Sequence, residues 1–145
     1  MFLINVEGAV FNNDKWLLIR RSTKEAHAGG ELALVGGTVD REGDSTDILE
    51  RTLRRELSEE VGIEVKEPIQ YVRNTSFLLA DGREVVDIVF LCELHKGEPY
   101  AKSPDEVESI HWMTTAEIIQ HEEIQYYLRD SILAAEALRI RSAYV

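Results

Sequence analysis

The segment Arg55-Glu56-Leu57-Ser58-Glu59-Glu60-Val61-Gly62-Ile63 constrains the fold more than any other part of this chain. Its three acids stand at i, i+3 and i+4, a spacing that brings them to one face only if the backbone is helical. Gly62 is the residue type that ends a helix in the left-handed conformation. At about 100° per residue, with Leu49 at zero, Leu53 and Leu57 fall near about 40° and 80°, Glu56 and Glu60 near about −20° and 20°, and Glu59 near about −80°. The acids therefore adjoin the apolar stripe, while Arg51, Arg54, Arg55 and Ser58 take the other side. A merely solvated, salt-bridged helix would hold its glutamates away from the core. Carboxylates beside a buried stripe need something to offset repulsion and desolvation, and a divalent cation with oxygen ligands does so.

The residues upstream supply the second half of such a site. Gly36-Gly37-Thr38-Val39 reads as a turn of bare backbone suited to a polyphosphate, and Asp40 to Asp47 as a loop leading into the helix. Asp44 or Ser45 is the expected N-cap, with the helix running to Val61. The formal charge of −11 argues against a nucleic acid polymer as partner and would repel an anionic small substrate unless a bound cation inverted the local field. With no Cys or His beside the acids, Mg²⁺ or Mn²⁺ fits better than zinc.

The remaining chain reads as strands and two further helices. Phe2 to Phe11 and Trp16 to Ile19 flank Asn12-Asn13-Asp14-Lys15 as a hairpin, Arg20 to Gly30 is a polar loop, and Glu31 to Val35 is a short strand. Ile63 to Leu79 and Glu84 to Leu94 form two long β stretches joined by Ala80-Asp81-Gly82-Arg83. Gly97 to Pro104 is a loop, Val107 to Met113 a strand, and Thr114 or Thr115 caps a short helix through Gln120. Glu122 to Ile140, with Ile124, Tyr127, Leu128, Ile132, Leu133 and Leu138 near helical spacing, is an amphipathic helix expected to pack on the sheet. At 145 residues, 44% hydrophobic and 30% charged, the chain fits one domain over residues 1–145 of α/β or α+β class. The N-terminal run is broken by Asn5 and Glu7 and reads as a strand rather than a signal peptide or membrane span. The lone Cys92, inside Val89-Phe90-Leu91-Cys92, reads as a buried small hydrophobe, compatible with a reducing cytoplasm.

Gly36-Gly37 followed by Arg55-Glu56-Leu57-Ser58-Glu59-Glu60-Val61-Gly62-Ile63 resembles the signature of the Nudix hydrolases, the MutT-like family. The second half matches at every specified position. Leu18-Ile19-Arg20-Arg21 upstream, and Glu106 ahead of Trp112-Met113-Thr114 downstream, extend the likeness over most of the chain. The spacing from Gly37 to Arg55 is four residues longer than is usual in the family, an insertion of about one helical turn. Asp44 or Asp47 stands for the family's intermediate Glu, and Val35 replaces a proline common before the glycines.

The resemblance implies an α/β/α sandwich around a mixed sheet and metal-dependent hydrolysis of a nucleoside diphosphate linked to another group. By motif position Glu56, Glu59 and Glu60 would be metal ligands together with the Gly36 carbonyl, and Glu56 or Glu59 would also serve as general base. Glu106 is the candidate for a further catalytic acid, with Asp105 and Glu98 behind it. Arg21, Arg20 and Gly37 are candidate substrate contacts; adjacent strand residues face opposite sides, so one arginine is expected to reach phosphate. Arg55 and Gly62 would support the motif.

His27 reads as a phosphate contact or a loop residue, and Phe77, Tyr71 and Trp16 as base-stacking or core aromatics. A nucleoside triphosphate or nucleotide sugar is the default substrate. Leu17 to Ser22 partly resembles the coenzyme A branch, but Ala26 stands where that branch has arginine, and the downstream proline or tyrosine of some ADP-ribose and dinucleoside polyphosphate enzymes is absent. The alternatives are a catalytically inactive nucleotide sensor and an acidic interaction domain. The sequence leaves a homodimer open.

Overall fold

The computed structural model describes residues 1–143. Eleven elements run in the order β1 (Phe2–Asn12), β2 (Lys15–Arg21), β3 (Leu32–Ala33), β4 (Val35–Thr38), α1 (Ile48–Val61), β5 (Glu64–Val65), β6 (Gln70–Leu78), β7 (Glu84–Lys96), β8 (Val107–Thr114), α2 (Thr115–Gln120) and α3 (Tyr126–Ala143). β1 is the spine of the mixed sheet. One of its edges runs parallel to β7 from Phe2↔Glu84 to Phe11↔Glu93, and the other is shared by antiparallel β4 and the end of the β2 hairpin. β6 and β5 add to β7, and β8 and β3 to β2.

The period of two along β1 divides the core. Val6 and Val10 join Leu17 and Ile19 of β2 and Leu53, Leu57 and Val61 of α1 in one cluster. Ala9 joins Trp16, Leu18, Val89, Leu91, Ile118 and the α3 residues Leu128, Ile132 and Ala135 in the other. The sheet thus lies between α1 and α3. Leu53 and Leu57 have no exposed surface, and burial of each stabilises the sandwich by roughly 1.5–3 kcal/mol. Trp16, 1% exposed, is core rather than a stacking surface, and its indole N–H donates to Thr115 Oγ1 at 2.9 Å.

Several boundaries differ from the sequence expectation for identifiable reasons. Gly36 and Gly37 are strand residues of β4 paired with Glu7 and Val6, rather than a turn. α1 begins at Ile48, not near Ser45. The flanking Asp47 takes a left-handed conformation (φ 54°) and makes no side-chain cap, so the four added residues lengthen the exposed loop and leave the helix short. The stretch from Ile63 to Leu79 is broken into β5 and β6 around Pro68, which has no N–H for the ladder. α3 starts at Tyr126 rather than Glu122, because 121–125 form a turn in which Ile124 N–H donates to His121 O. Tyr127 and Leu133, placed on the apolar stripe by periodicity, are 45% and 43% exposed. Thr114 is the α2 N-cap and forms a reciprocal capping box with Glu117.

Candidate metal and phosphate site

The end of α1 is held by two devices that also aim its carboxylates. Gly62 sits at φ 71°, where its N–H donates to Ser58 O at 3.2 Å and that of Ile63 to Leu57 O at 3.4 Å, a Schellman termination. The loop 97–106 then wraps the helix end. Tyr100 N–H donates to Val61 O, Lys102 N–H to Glu60 O, and Lys102 Nζ to Ser58 O at 3.1 Å. These bonds satisfy carbonyls the helix leaves unpaired and place a cation at its negative end. They also bring Glu106, four residues beyond Lys102, against the helix.

Glu60 is 7% exposed, and its Oε2 has no hydrogen-bond partner. Burial, then the negative charges of Glu56 and Glu106, push its carboxyl up to about 9. Glu56, with 16% of its side chain exposed, is raised by burial against the opposing influence of Arg55. Glu59, its side chain 58% exposed, points outward. The Arg55 guanidinium lies 3.4 Å from Glu56, 3.6 Å from Glu59 and 3.9 Å from Asp40, so it ties the helix to the segment leaving β4.

Both glycines are required by close approach. A Cβ on Gly36 would lie 2.0 Å from Val6 O, and one on Gly37 would lie 2.5 Å from Glu56 Cδ. Glu56 therefore rests on the Gly37 backbone, joining strand and helix.

The two arginines of β2 diverge. Arg20 donates to Gly30 O and pairs with Glu123 at 2.8 Å, away from the carboxylates. Arg21 donates to His27 O and faces Glu25, and its charge is felt by Glu60. Ser22 N–H donates to Glu106 O at 2.9 Å, and Lys24 pairs with Asp105 at 2.9 Å, so the 22–30 loop is fastened to the loop carrying Glu106. Glu98, the other reserve acid, is exposed.

Among the described residues no three ligand-type side chains stand at the spacing of a closed metal cage. Glu59 turns outward toward Arg55 while Glu56, Glu60 and Glu106 cluster. The residues nevertheless fit a hard divalent cation: the donors are all oxygen, the acids repel one another, and a buried carboxylate oxygen lacks a partner. A concavity of about 750 Å³ lined by Arg54, Ile63, Lys66 and His95 lies between α1, β5 and the end of β7, and neither Glu56 nor Glu60 lines it.

Sequence reasoning passed over a second polar group on the α3 side of the sheet. Asn5 Nδ2 donates to Asp87 Oδ1 at 2.6 Å, and Glu7 lies within hydrogen-bonding reach of Asp87. Burial and then that neighbour raise Glu7 well above the usual carboxylate range. Tyr127 donates to Glu31 at 2.7 Å close by; burial and the adjoining acids raise its phenol. His27 stacks on Phe77 with ring centroids 5.3 Å apart and planes 10° from parallel. The available signal was an isolated acid inside each apolar run, Val6-Glu7-Gly8 and Val86-Asp87-Ile88.

With this geometry in view, the sequence profile of the NUDIX domain matches residues 1–133, and the chain belongs to that family, as a Nudix pyrophosphohydrolase. Nudix enzymes generally hydrolyse pyrophosphate bonds in nucleoside diphosphate derivatives and generally use divalent metal ions. Among solved structures, a MutT NUDIX hydrolase from Burkholderia pseudomallei is 26% identical, with a TM-score of 0.76 over 94% of this chain and 97% of that one. A MutT protein from Methanosarcina mazei Go1 is 22% identical, with a TM-score of 0.78 over 95% of both chains. The NUDIX domain of Shewanella oneidensis NrtR, complexed with ADP ribose, is 20% identical, with a TM-score of 0.70 over 97% of this chain and 88% of that one. The last two likenesses, below 25% identity, establish the fold. No curated protein matches the chain.

Proposed function

We propose that this chain is a Mg²⁺- or Mn²⁺-dependent hydrolase that cleaves the pyrophosphate linkage of a nucleoside triphosphate or nucleotide sugar. The observation that carries the reading is the buried Glu60 carboxyl, one oxygen unpartnered, set between Glu56 and Glu106. A structural acid would be paired or exposed.

Glu56, Glu59 and Glu60, with the Gly36 carbonyl, would hold the cation, Glu59 rotating inward from its exposed position. When bound, a divalent cation polarises phosphoryl oxygens and lowers the pKa of water. The chain's own groups do the rest. Arg21 neutralises charge developing on the phosphate. The bare backbone of Gly37 lets the diphosphate approach β4. Glu56, Glu59 or Glu106 accepts the proton of the attacking water, and Arg55 and Gly62 keep helix and loops in register for it. The buried thiol of Cys92 suits a reducing compartment such as the cytoplasm.

The test is a panel of nucleoside triphosphates, nucleotide sugars, dinucleotides and coenzyme A, incubated with Mg²⁺ and read by phosphate release after phosphatase treatment. The reading expects turnover of at least one member, abolished by chelation. Binding without turnover across the panel would mark a nucleotide sensor instead.

A further inference from the structure

α3 is apolar on two faces, and the fold covers one of them. Leu128, Ile132 and Ala135 lie in the cluster that packs on the sheet. On the other side Leu133 and Ile140 are 43% and 49% exposed, and Ala137 is exposed with them. A surface helix keeps its outward face polar, whereas a helix apolar on both sides is suited to being packed on both.

The uncovered face borders a concavity of about 550 Å³ between α3 and β6, floored by Ala134, Ala137 and Leu138 and walled by Tyr71 and Val72. Tyr71 is 54% exposed. Among the described strands β6 pairs with β7 alone, so this groove opens at the edge of the sheet.

Charge singles out the occupant. The chain carries −11, yet α3 between Arg129 and Arg141 holds three arginines against two acids. Glu136 and Arg139 pair with each other, while among the described residues neither Asp130 nor Arg141, both exposed, has a salt-bridge partner. At about 100° per residue, with Ala134 at zero, Asp130 falls near about −40°, Ala137 near about −60° and Arg141 near about −20°. These four make one seam at i, i+4, i+7 and i+11, the alternating spacing of a stripe that pairs with another helix. Asp130 and Arg141 stand at its ends about 16 Å apart, too far to meet within one chain.

A second α3, laid antiparallel across a two-fold axis between Ala134 and Ala137, meets this seam with its own. Asp130 of each copy then faces Arg141 of the other, and the alanines cross at the centre, where they let the backbones approach. Leu133 and Ile140 flank the alanines and are covered by the same approach. We propose that this chain self-associates through α3 as an antiparallel two-fold pair, with Asp130 and Arg141 exchanging salt bridges and the groove beside β6 closed. A seam about 16 Å long and one helix wide covers less than the roughly 800 Å² per partner of a standard interface, so the dimer is concentration-dependent. The proposal is independent of the hydrolase reading.

Sedimentation equilibrium of the full chain from about 5 to about 500 µM tests it, with monomer expected to prevail at the low end and dimer at the high end. Asp130→Arg and Arg141→Asp are each expected to weaken the dimer at least about tenfold, because each sets two pairs of like charges together, and the double variant to restore it to within about threefold of wild type. Both positions are exposed, and thermal unfolding checks that each variant is folded. The single variants shift the net charge in opposite directions, so an effect of overall charge would weaken one dimer and strengthen the other. A monomer at every concentration, a dimer indifferent to the single substitutions, or single variants that the double does not rescue overturns the proposal. A monomer that sediments with phosphatidylcholine vesicles also overturns it, giving the face to a membrane instead.

Discussion

Replacing Glu60 by Gln is expected to stabilise the metal-free protein while abolishing its response to divalent cations. The carboxyl titrates at 4.5 when free and at about 9 in the folded chain, chiefly because it is buried, then because Glu56 and Glu106 face it. Between these values the folded state holds a proton that the unfolded chain has released, so stability falls as pH rises through that window. From 4.5 to pH 8, at about 1.4 kcal/mol per pH unit, the cost is capped at about 5 kcal/mol. Relaxation of the side chain toward solvent lowers the expected gain from Gln to about 2 kcal/mol. For a domain of this size that is a rise of roughly 6 °C in unfolding midpoint. The assay is thermal unfolding in EDTA from pH 5 to 9, repeated with Mg²⁺. Wild type should lose stability toward pH 9 and regain it with cation, which binds only the folded state. The variant should show a flatter curve and no Mg²⁺ shift. Glu7, also raised by burial, adds a decline of the same sign to both proteins, so the difference between the curves is diagnostic. A variant less stable than wild type at pH 8, with the Mg²⁺ shift retained, would refute the reasoning.

Other consequences are equally open to measurement. Gly36→Ala should destabilise by several kcal/mol, since its methyl meets the backbone carbonyl of Val6 at 2.0 Å, and chemical denaturation would register a lowered midpoint. Gly62→Ala should cost at least about 1 kcal/mol from the positive φ alone; the Tyr100 ring 2.7 Å from the added carbon increases the loss. Leu53→Ala, at a position with no exposure, should cost about 2–5 kcal/mol by the same assay. Cys92, buried and with its thiol pushed up to about 12 by desolvation, should resist a water-soluble disulfide reagent in the native protein and react promptly in denaturant. Rapid native labelling would contradict its placement.

Legibility in the sequence followed the reach of each signal. The Arg55–Ile63 helix end, the Asn13 hairpin and the Thr114 cap rest on local chemistry, and each appears where the residues put it. The position of Glu60 beside the apolar stripe was visible on the helical wheel, because burial of one face is a property of period alone. What local pattern could not carry was pairing. Gly36-Gly37 has turn composition but is drawn into β4 by pairing with Val6 and Glu7, distant in sequence, so that partners rather than propensity decide its state. The loop 40–47 offered Asp44 and Ser45 as caps, yet the helix starts after Asp47 without a side-chain cap because tertiary packing of Leu53 and Leu57 suffices. Asn5, Glu7 and Asp87 are separated by as many as 82 positions; only the parallel register of β1 on β7 brings them together. The approach of Glu106 to Glu60 likewise depends on the 97–106 loop capping α1, a non-local event that its own composition does not announce.

The measurement closest to the central claim is the initial rate of hydrolysis of the best substrate as a function of Mg²⁺, for wild type and for the Glu59→Gln, Glu60→Gln double variant. The account predicts a wild-type rate that saturates with Mg²⁺ and vanishes in EDTA, and a folded double variant slower by at least about a hundredfold at every Mg²⁺ concentration. A double variant that turns over like wild type, or a wild-type rate indifferent to EDTA, would contradict it.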